Sequence, residues 1–394
     1  MPSGYAPAMY SVCLNDPGDT TALDSYRNPN YGTLCYTMQF MPGTTTYLDT
    51  PVLPQAAFAA GYNPADCDLP DGIPALDSIA GSALVAAGGT ITLTSQGLTT
   101  VPNAAYQGPL APAPYNVATL ERDYGFGSGG TVTLGGTALT NVIWTDGTIT
   151  ATVPAGMADG SYQLVITRDT GEQSVNTITV TVGSESAITV ASGSSIQAAI
   201  DAAPAGALIL VEPGVYEEQV ILWKPVRLQG AGAGATVINA VKRPTEDLAG
   251  WLAQVQSLVD SGAVDLLPGQ GAAPNLFGEG LLGTEQGAGI LVLAQDGAFD
   301  ATASRIDGFT ILNADIGGGI MVNGYAHNLE ISNNLVTQNS GALHGGIRVG
   351  TPLLPTTGDG PFAYNTGVTI HHNLITRNGA IGEQGAGGGV SLNT

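Results

Sequence analysis

The chain has 394 residues, 56 of them glycine, and sets ten Lys plus Arg against 32 Asp plus Glu, a formal net charge of −22. That length accommodates two or three domains, and the glycine count with threonine-rich alternating runs points to a turn-dense, all-β protein. The charge disfavours nucleic acid and anionic membranes, since phosphate recognition needs Lys and Arg, and disfavours polyanionic sugars unless a cation intervenes. No apolar run is long enough to insert across a bilayer.

Residues 1–72 read as a small β-rich segment, the end of a stalk domain. Tyr10–Cys13 and Leu34–Phe40 alternate like strands, with Leu34, Tyr36, Met38 and Phe40 on one face. Cys35 falls on the opposite face and can bridge to Cys13 if the two strands pair, the alternative being free thiols; Cys67 is left over. Asp16, Asp19 and Asp24, and separately Asp66, Asp68 and Asp71, offer the oxygen ligands that calcium prefers, but neither group has a complete loop signature. Solvated turns are the competing reading, and calcium is the one cofactor the sequence brings into question. Met1–Pro7 lacks the basic and apolar regions of a signal peptide. The lysine-poor, Thr- and Gly-rich composition nevertheless fits an extracellular or cell-surface protein.

Residues 73–183 predict a β-sandwich. Short alternating runs at Thr90–Thr94, Thr131–Leu134, Asn141–Asp146, Thr148–Val153 and Gly160–Ile166 are separated by Gly and Asp turns. The order, and Trp144–Pro154 above all, resembles the immunoglobulin-like IPT/TIG family, with an insert at residues 97–122 where the family has a tight turn. Trp144 is expected in the core rather than as a sugar platform. The resemblance implies a spacer or partner-binding unit and no catalysis.

Residues 184–394 predict a right-handed parallel β-helix. Glu185–Gly193 reads as a short link. Arg305–Ile311, Glu330–Val336 and Thr369–Ile375 look like copies of one another, and each is followed by a glycine-rich run ending in Ile320, Ile347 or Val390. The spacing from Ile306 to Ile331 is 25 residues and from Ile331 to Ile370 it is 39, the difference being an insert around 352–365. Ile306, Ile331 and Ile370 should therefore stack inside the cylinder. Asn334 should stack on Asn373 and Asn339 on Asn378 at the corners, as structural ladders that begin one coil late because Phe309 and Ala314 precede them. An excursion at 241–286 carries a helical pattern, Leu248, Trp251, Leu252, Val255, Leu258 and Val259, starting at Thr245 and suited to covering the flank.

The segment Ser194–Gly206, followed by Leu208–Glu217 and Lys224–Gly230, resembles the opening of pectate-lyase-like β-helix proteins. That resemblance implies a helix plugging the cylinder floor, with Ile196, Ala199 and Ile200 on its apolar face and Ser194 or Ser195 as N-cap. It also implies a polysaccharide as the class of partner. Lyases of that kind hold calcium with several acids on one flank, and hydrolases need paired carboxylates. The outward columns read here are Asp307, Ser332, His371; Gly308, Asn333, His372; Asn313, Gln338, Arg377; and Met321, Arg348, Ser391. No column holds two acids.

Asp307, His344, Arg348, His371 and Arg377 form the candidate ligand-binding flank, with catalytic residues unassigned and enzymatic activity left open. The neighbours His371 and His372 should face opposite ways along a strand, which argues against joint metal ligation; no metal site is assigned. Two functions remain, a β-helix engaging extracellular polysaccharide and a structural or adhesive surface module without carbohydrate chemistry. The chain ends directly after a coil strand, as expected of a piece of a longer exported protein, and its uncapped edge is a place for self-association.

Overall fold

Apolar triplets separated by tight corners dictate the larger part of this chain. The computed structural model describes residues 8–15, 28, 31, 33–40, 66–241, 245–268, 270, 287–341, 344–351, 364–380 and 388–392. By their internal contacts two units form, residues 1–68 with 100–122, and residues 69–99 with 123–394.

In the first unit Ala8–Leu14 pairs antiparallel with Leu34–Phe40. The register sets Cys13 opposite Cys35, and the two are joined as a disulfide, leaving Cys67 a free thiol. Arg122 donates to the Asp66 carboxylate at 2.5 Å and to the Asp68 carbonyl at 3.2 Å, so Asp66 is matched by a guanidinium. The group Asp16, Asp19 and Asp24 lies outside the described residues.

The second unit begins with a sandwich of two sheets. Leu76–Ala80, Thr90–Ser95, Thr148–Thr152 and Thr140–Trp144 form one. Leu84–Val85, Thr179–Val182, Gly160–Arg168, Gly130–Leu134 and Thr137–Ala138 form the other. Alternation turns Leu93, Ile149, Ala151, Leu134, Leu164 and Ile166 into a shared, fully buried core with Phe126. Trp144 closes its margin, edge-on to Phe126, and its indole N–H reaches the carbonyls of Phe126 and Gly127 at 3.2 Å each. That ring is committed to the core, as its place in the alternating pattern requires.

The rest of the second unit is a parallel β-helix of three sheets. The first contains Ala187–Val190, Leu208–Val211, Arg227–Gln229, Ser304–Asp307, Leu329–Ser332 and Thr369–His371. The second contains Gly214–Tyr216, Thr236–Asn239, Thr310–Leu312, Leu335–Thr337 and Leu374–Thr376. The third contains Val220–Leu222, Ile290–Val292, Ile320–Val322, Ile347–Val349 and Val390–Leu392. Ile188, Ile209, Leu228, Ile306, Ile331 and Ile370 stand in one register column, and Ile238, Ile311, Val336 and Ile375 in another. Val220, Ile290, Ile320, Ile347 and Val390 make the third. These columns fill a single cylinder core. The span 185–193 is not a link: Ala187–Val190 is itself the first rung, paired in parallel with Leu208–Val211.

Asparagines close the corners from inside. The Asn334 amide donates to the Ile306 carbonyl at 3.0 Å and accepts from Phe309 N–H at 3.1 Å, and Asn373 Oδ1 accepts from both its side chain and its backbone. Asn339 repeats this with the Ile311 carbonyl, Ala314 N–H and Asn378. Buried backbone groups that a strand cannot pair are thereby satisfied.

Helix α1, Ile196–Ala202, plugs the floor, with Ile196 and Ile200 fully buried. Ser195 caps it by accepting from Ala198 N–H, while Glu218 accepts from the amides of Ile196 and Gln197 and from the Ser195 hydroxyl. The Gln197 amide pairs with both backbone groups of Ile221, occupying the open edge of the third sheet. Helix α2, Thr245–Asp260, lays Trp251 and Val255 over Ile221, Leu291 and Met321, the outward column of that sheet.

Because Ile331 is fully buried with rungs on both sides, Ile331→Ala should cost about 3 kcal/mol of unfolding free energy, the range for a large-to-small core change. A lowered urea midpoint at unchanged slope is the expected reading.

Candidate functional site

The first sheet turns Arg305, Asp307 and Ser332 away from the cylinder core, yet none of them meets water, because the sandwich packs over them. Asp307 is 0% exposed. Its carboxylate accepts five hydrogen bonds. Thr179 supplies its backbone N–H at 3.0 Å and its hydroxyl at 2.7 Å, Gln229 its amide at 2.6 Å, Ser332 its hydroxyl at 2.6 Å and Asn333 its amide at 2.7 Å. The far end of Gln229 accepts from the buried Arg305 guanidinium at 2.9 Å, relaying positive charge to the carboxylate. Five donors replace the water that a carboxylate loses on burial.

Around this point the seam is polar and close. Asn333 and Gln163 exchange amide hydrogen bonds at 2.7 and 2.9 Å, and Thr177 N–H donates to Asn333 at 3.2 Å. Ile79 N–H donates to the Ala231 carbonyl at 2.8 Å. Gly232 and Gly234 permit that approach, for a Cβ on either would come within 2.4 or 2.3 Å of Asp77 oxygens. Within the same unit Asp71 accepts from Asp123 N–H at 2.7 Å, a long-range contact to the strand Thr119–Tyr124.

The five residues of the expected flank are therefore not one site. Asp307 is sealed under the sandwich. His371 follows Ser332 in the same column, half-buried at the margin of the seam. Arg348 and His344 belong to another face: Arg348 continues the outward column Ile221, Leu291, Met321 of the third sheet and is almost fully buried. Arg377 occupies a corner with φ +54°, in the column of Asn313 and Gln338, which also have positive φ. Three sheets of a cylinder face three directions, and alignment by rung does not say which columns share a face.

On the third face, burial pushes the Arg348 guanidinium down to about 9, leaving it charged at neutral pH. His344, 8% exposed, sets Nε2 3.2 Å from the Ser391 hydroxyl. That is a nucleophile-and-base distance, but among the described residues none gives the buried Nδ1 of His344 the orienting hydrogen bond a catalytic imidazole uses. Burial also lowers the His344 pKa below its ordinary value.

Sequence reasoning missed the corner geometry that joins His371 to His372. The column Gly308, Asn333, His372 has φ of +77°, +58° and +52°, so these are left-handed corner residues and not strand positions. Glycine and asparagine in two of three places were the available signal. In consequence His372 does not face away: its Nδ1 lies 2.8 Å from Nδ1 of His371, correcting the expectation from strand alternation. Glu330 Oε1 is 3.2 Å from His371 Nε2. Among the described residues no group of three or more His, Cys, Asp or Glu converges as a metal cage.

The IPT/TIG domain family matches residues 74–182, so the sandwich is an immunoglobulin-like module of that kind, a type found in extracellular and surface proteins. No curated protein and no solved structure matches the chain.

Two outcomes follow from this geometry. Asp307→Ala strands five buried donors at the seam and should cost about 3–5 kcal/mol, as for breaking a buried charged contact, read from urea unfolding. Because the folded state depresses the His344 pKa, the unfolded chain takes up protons first as pH falls below about 6.5, and stability drops there. His344→Asn should flatten the change in melting temperature between pH 7.5 and 5.5.

Proposed function

We propose that the protein is a structural or adhesive surface module, in which a β-helix of the pectate-lyase-like kind carries the IPT/TIG sandwich as a fixed side domain. The observation that carries this reading is the Asp307 carboxylate, the outward acid best placed for chemistry, spent instead on five hydrogen bonds that hold the sandwich. Asparagine ladders at the corners and an apolar helix over the third sheet likewise serve rigidity. The plug helix and the three-sheet coil support the likeness to pectate-lyase-like proteins. An acidic, lysine-poor surface suits display outside the cell, where high net charge keeps a protein soluble.

Contact with extracellular polysaccharide is the second reading. It is favoured by the solvent-reaching side chains of His371, His372 and Arg377 at the corners and margin of the coil, whereas Arg348 and His344 are buried. Neutral glycans fit this better than polyuronates, which a chain of −22 repels.

The test is to incubate the chain with polygalacturonate or alginate plus calcium and follow absorbance of unsaturated product, while beads coated with the chain are washed over neutral glycan films. No turnover and no bead retention is the expected result, and retention without turnover would favour the second reading. Turnover abolished by Arg348→Ala or His371→Ala would replace the module reading with a lyase.

Val390 and Leu392 belong to inward columns yet are 48% and 72% exposed at the end of the described stack. This 394-residue chain should accordingly self-associate through that end. Sedimentation velocity should show dimers or larger species at high concentration, reduced by Leu392→Lys; a strict monomer would refute it.

A further inference from the structure

We propose that His371 and His372 form a two-step proton switch on the last strand of the first sheet. The pair takes up one proton with the hydrogen bond between the rings intact, and a second proton breaks that bond and releases the His372 ring. The two Nδ1 atoms face one another at 2.8 Å, with ring centroids 5.0 Å apart and planes at 88°. In such a head-on pair one nitrogen must carry the proton while the other accepts it.

The surroundings decide which ring donates. Glu330 Oε1 lies 3.2 Å from Nε2 of His371 and accepts its N–H, so the neutral His371 ring keeps its lone pair at Nδ1. His372 must then donate from Nδ1, and its ring is exposed. A first added proton binds Nε2 of His372, and the Nδ1 proton crosses to Nδ1 of His371. The charge then rests on His371 beside Glu330, while His372 is neutral again with its lone pair in the bond. A second proton on His372 sets N–H against N–H and one imidazolium against another, which repel.

The charged groups around the pair fit this order. Glu330, on the preceding coil, faces His371, and its carboxylate shares the Ser332 hydroxyl with Asp307, at 3.3 and 2.6 Å. Arg305, one coil further, turns to Gln229 instead. Burial and then the nearness of His371 lower the His372 pKa below its ordinary value, with Asp307 acting in the opposite direction. Gln163 and Thr177, the sandwich residues that meet Asn333 in the His372 column, are uncharged. The backbone is held on both sides of the corner. His372 sits at φ +52°, and the Asn373 amide donates to the carbonyls of Ile331 and His371 at 2.7 and 2.9 Å. Acid therefore moves the rings and not the chain.

The full chain is labelled with isotopic histidine and titrated from about pH 8 to about pH 4.5, and its four histidines are followed by long-range proton–nitrogen correlation. At the upper end His372 should be protonated on Nδ1, the tautomer an exposed imidazole in water does not favour, and His371 on Nε2. On acidification the His372 proton should move to Nε2 as His371 becomes charged. His372 should charge in a second step at least about one pH unit lower. In His371→Asn the His372 ring should revert to the Nε2 tautomer and titrate in a single step. In His372→Asn, where asparagine tolerates the left-handed corner, His371 should also titrate in one step. The parent spectrum decides the pairing whether or not either variant folds. His372 protonated on Nε2 at about pH 8 in the parent chain overturns the pairing. Single independent steps for both rings, unchanged when either partner is replaced, overturn the switch.

Discussion

A single buried carboxylate governs how this unit is assembled. Asp307 sits on the outside of one β-helix sheet and on the inside of the protein, because the sandwich supplies it with Thr179 while the coils before and after its own supply Gln229, Ser332 and Asn333. A carboxyl group in that position is costly without partners and acceptable with five donors. The geometry therefore works in one direction only: the carboxylate tolerates burial when the sandwich is docked, and a displaced sandwich leaves Asp307, Asn333 and Gln163 to find other partners. Specific docking at a polar seam makes the side domain a fixed one.

The solenoid contributes the precision such a seam requires. Each rung repeats the same backbone positions, so Gln229, Asp307 and Ser332 stand in register on successive coils and can share protons and lone pairs along the stack. Inside, the isoleucine columns and asparagine ladders hold that register, and the ends of the third sheet differ accordingly. Gln197 occupies its first edge, whereas Val390 and Leu392 lie exposed at the last described rung. The polar members of the outward columns then divide by what covers them: sandwich over Asp307, burial beside Ser391 for Arg348 and His344, and water over His372.

Much of this was legible in the residues themselves. The alignment of Ile306 with Ile331 and Ile370, of Ile311 with Val336 and Ile375, and of Ile320 with Ile347 and Val390 is the observed register, because strand period and corner spacing are local properties of the chain. The apolar helical stripe around Trp251 and Val255 was equally local, and it lies over the third sheet. What lay beyond reach was set by distant contacts. Nothing in the repeat around Asp307 announces that Thr179, 128 residues earlier, will cover it. Arg348 read as an outward ladder residue and is outward, but its burial depends on what packs against it. The histidine pair was misjudged for a different reason: a strand rule was applied to a corner, although Gly308 and Asn333 in the same column were already marks of left-handed backbone.

If the Asp307 seam holds the sandwich to the β-helix, the amides of Thr177 and Thr179 owe their protection to acceptors on Asn333 and Asp307. Amide hydrogen exchange resolved at these two residues measures that directly. Exchange as slow as that of core amides such as Ile166 and Ile331, governed by global unfolding, is the result a docked sandwich requires. Exchange of both amides on the timescale of exposed loops, while Ile166 and Ile331 stay protected, would mean that the sandwich opens away from the β-helix and that Asp307 does not hold it.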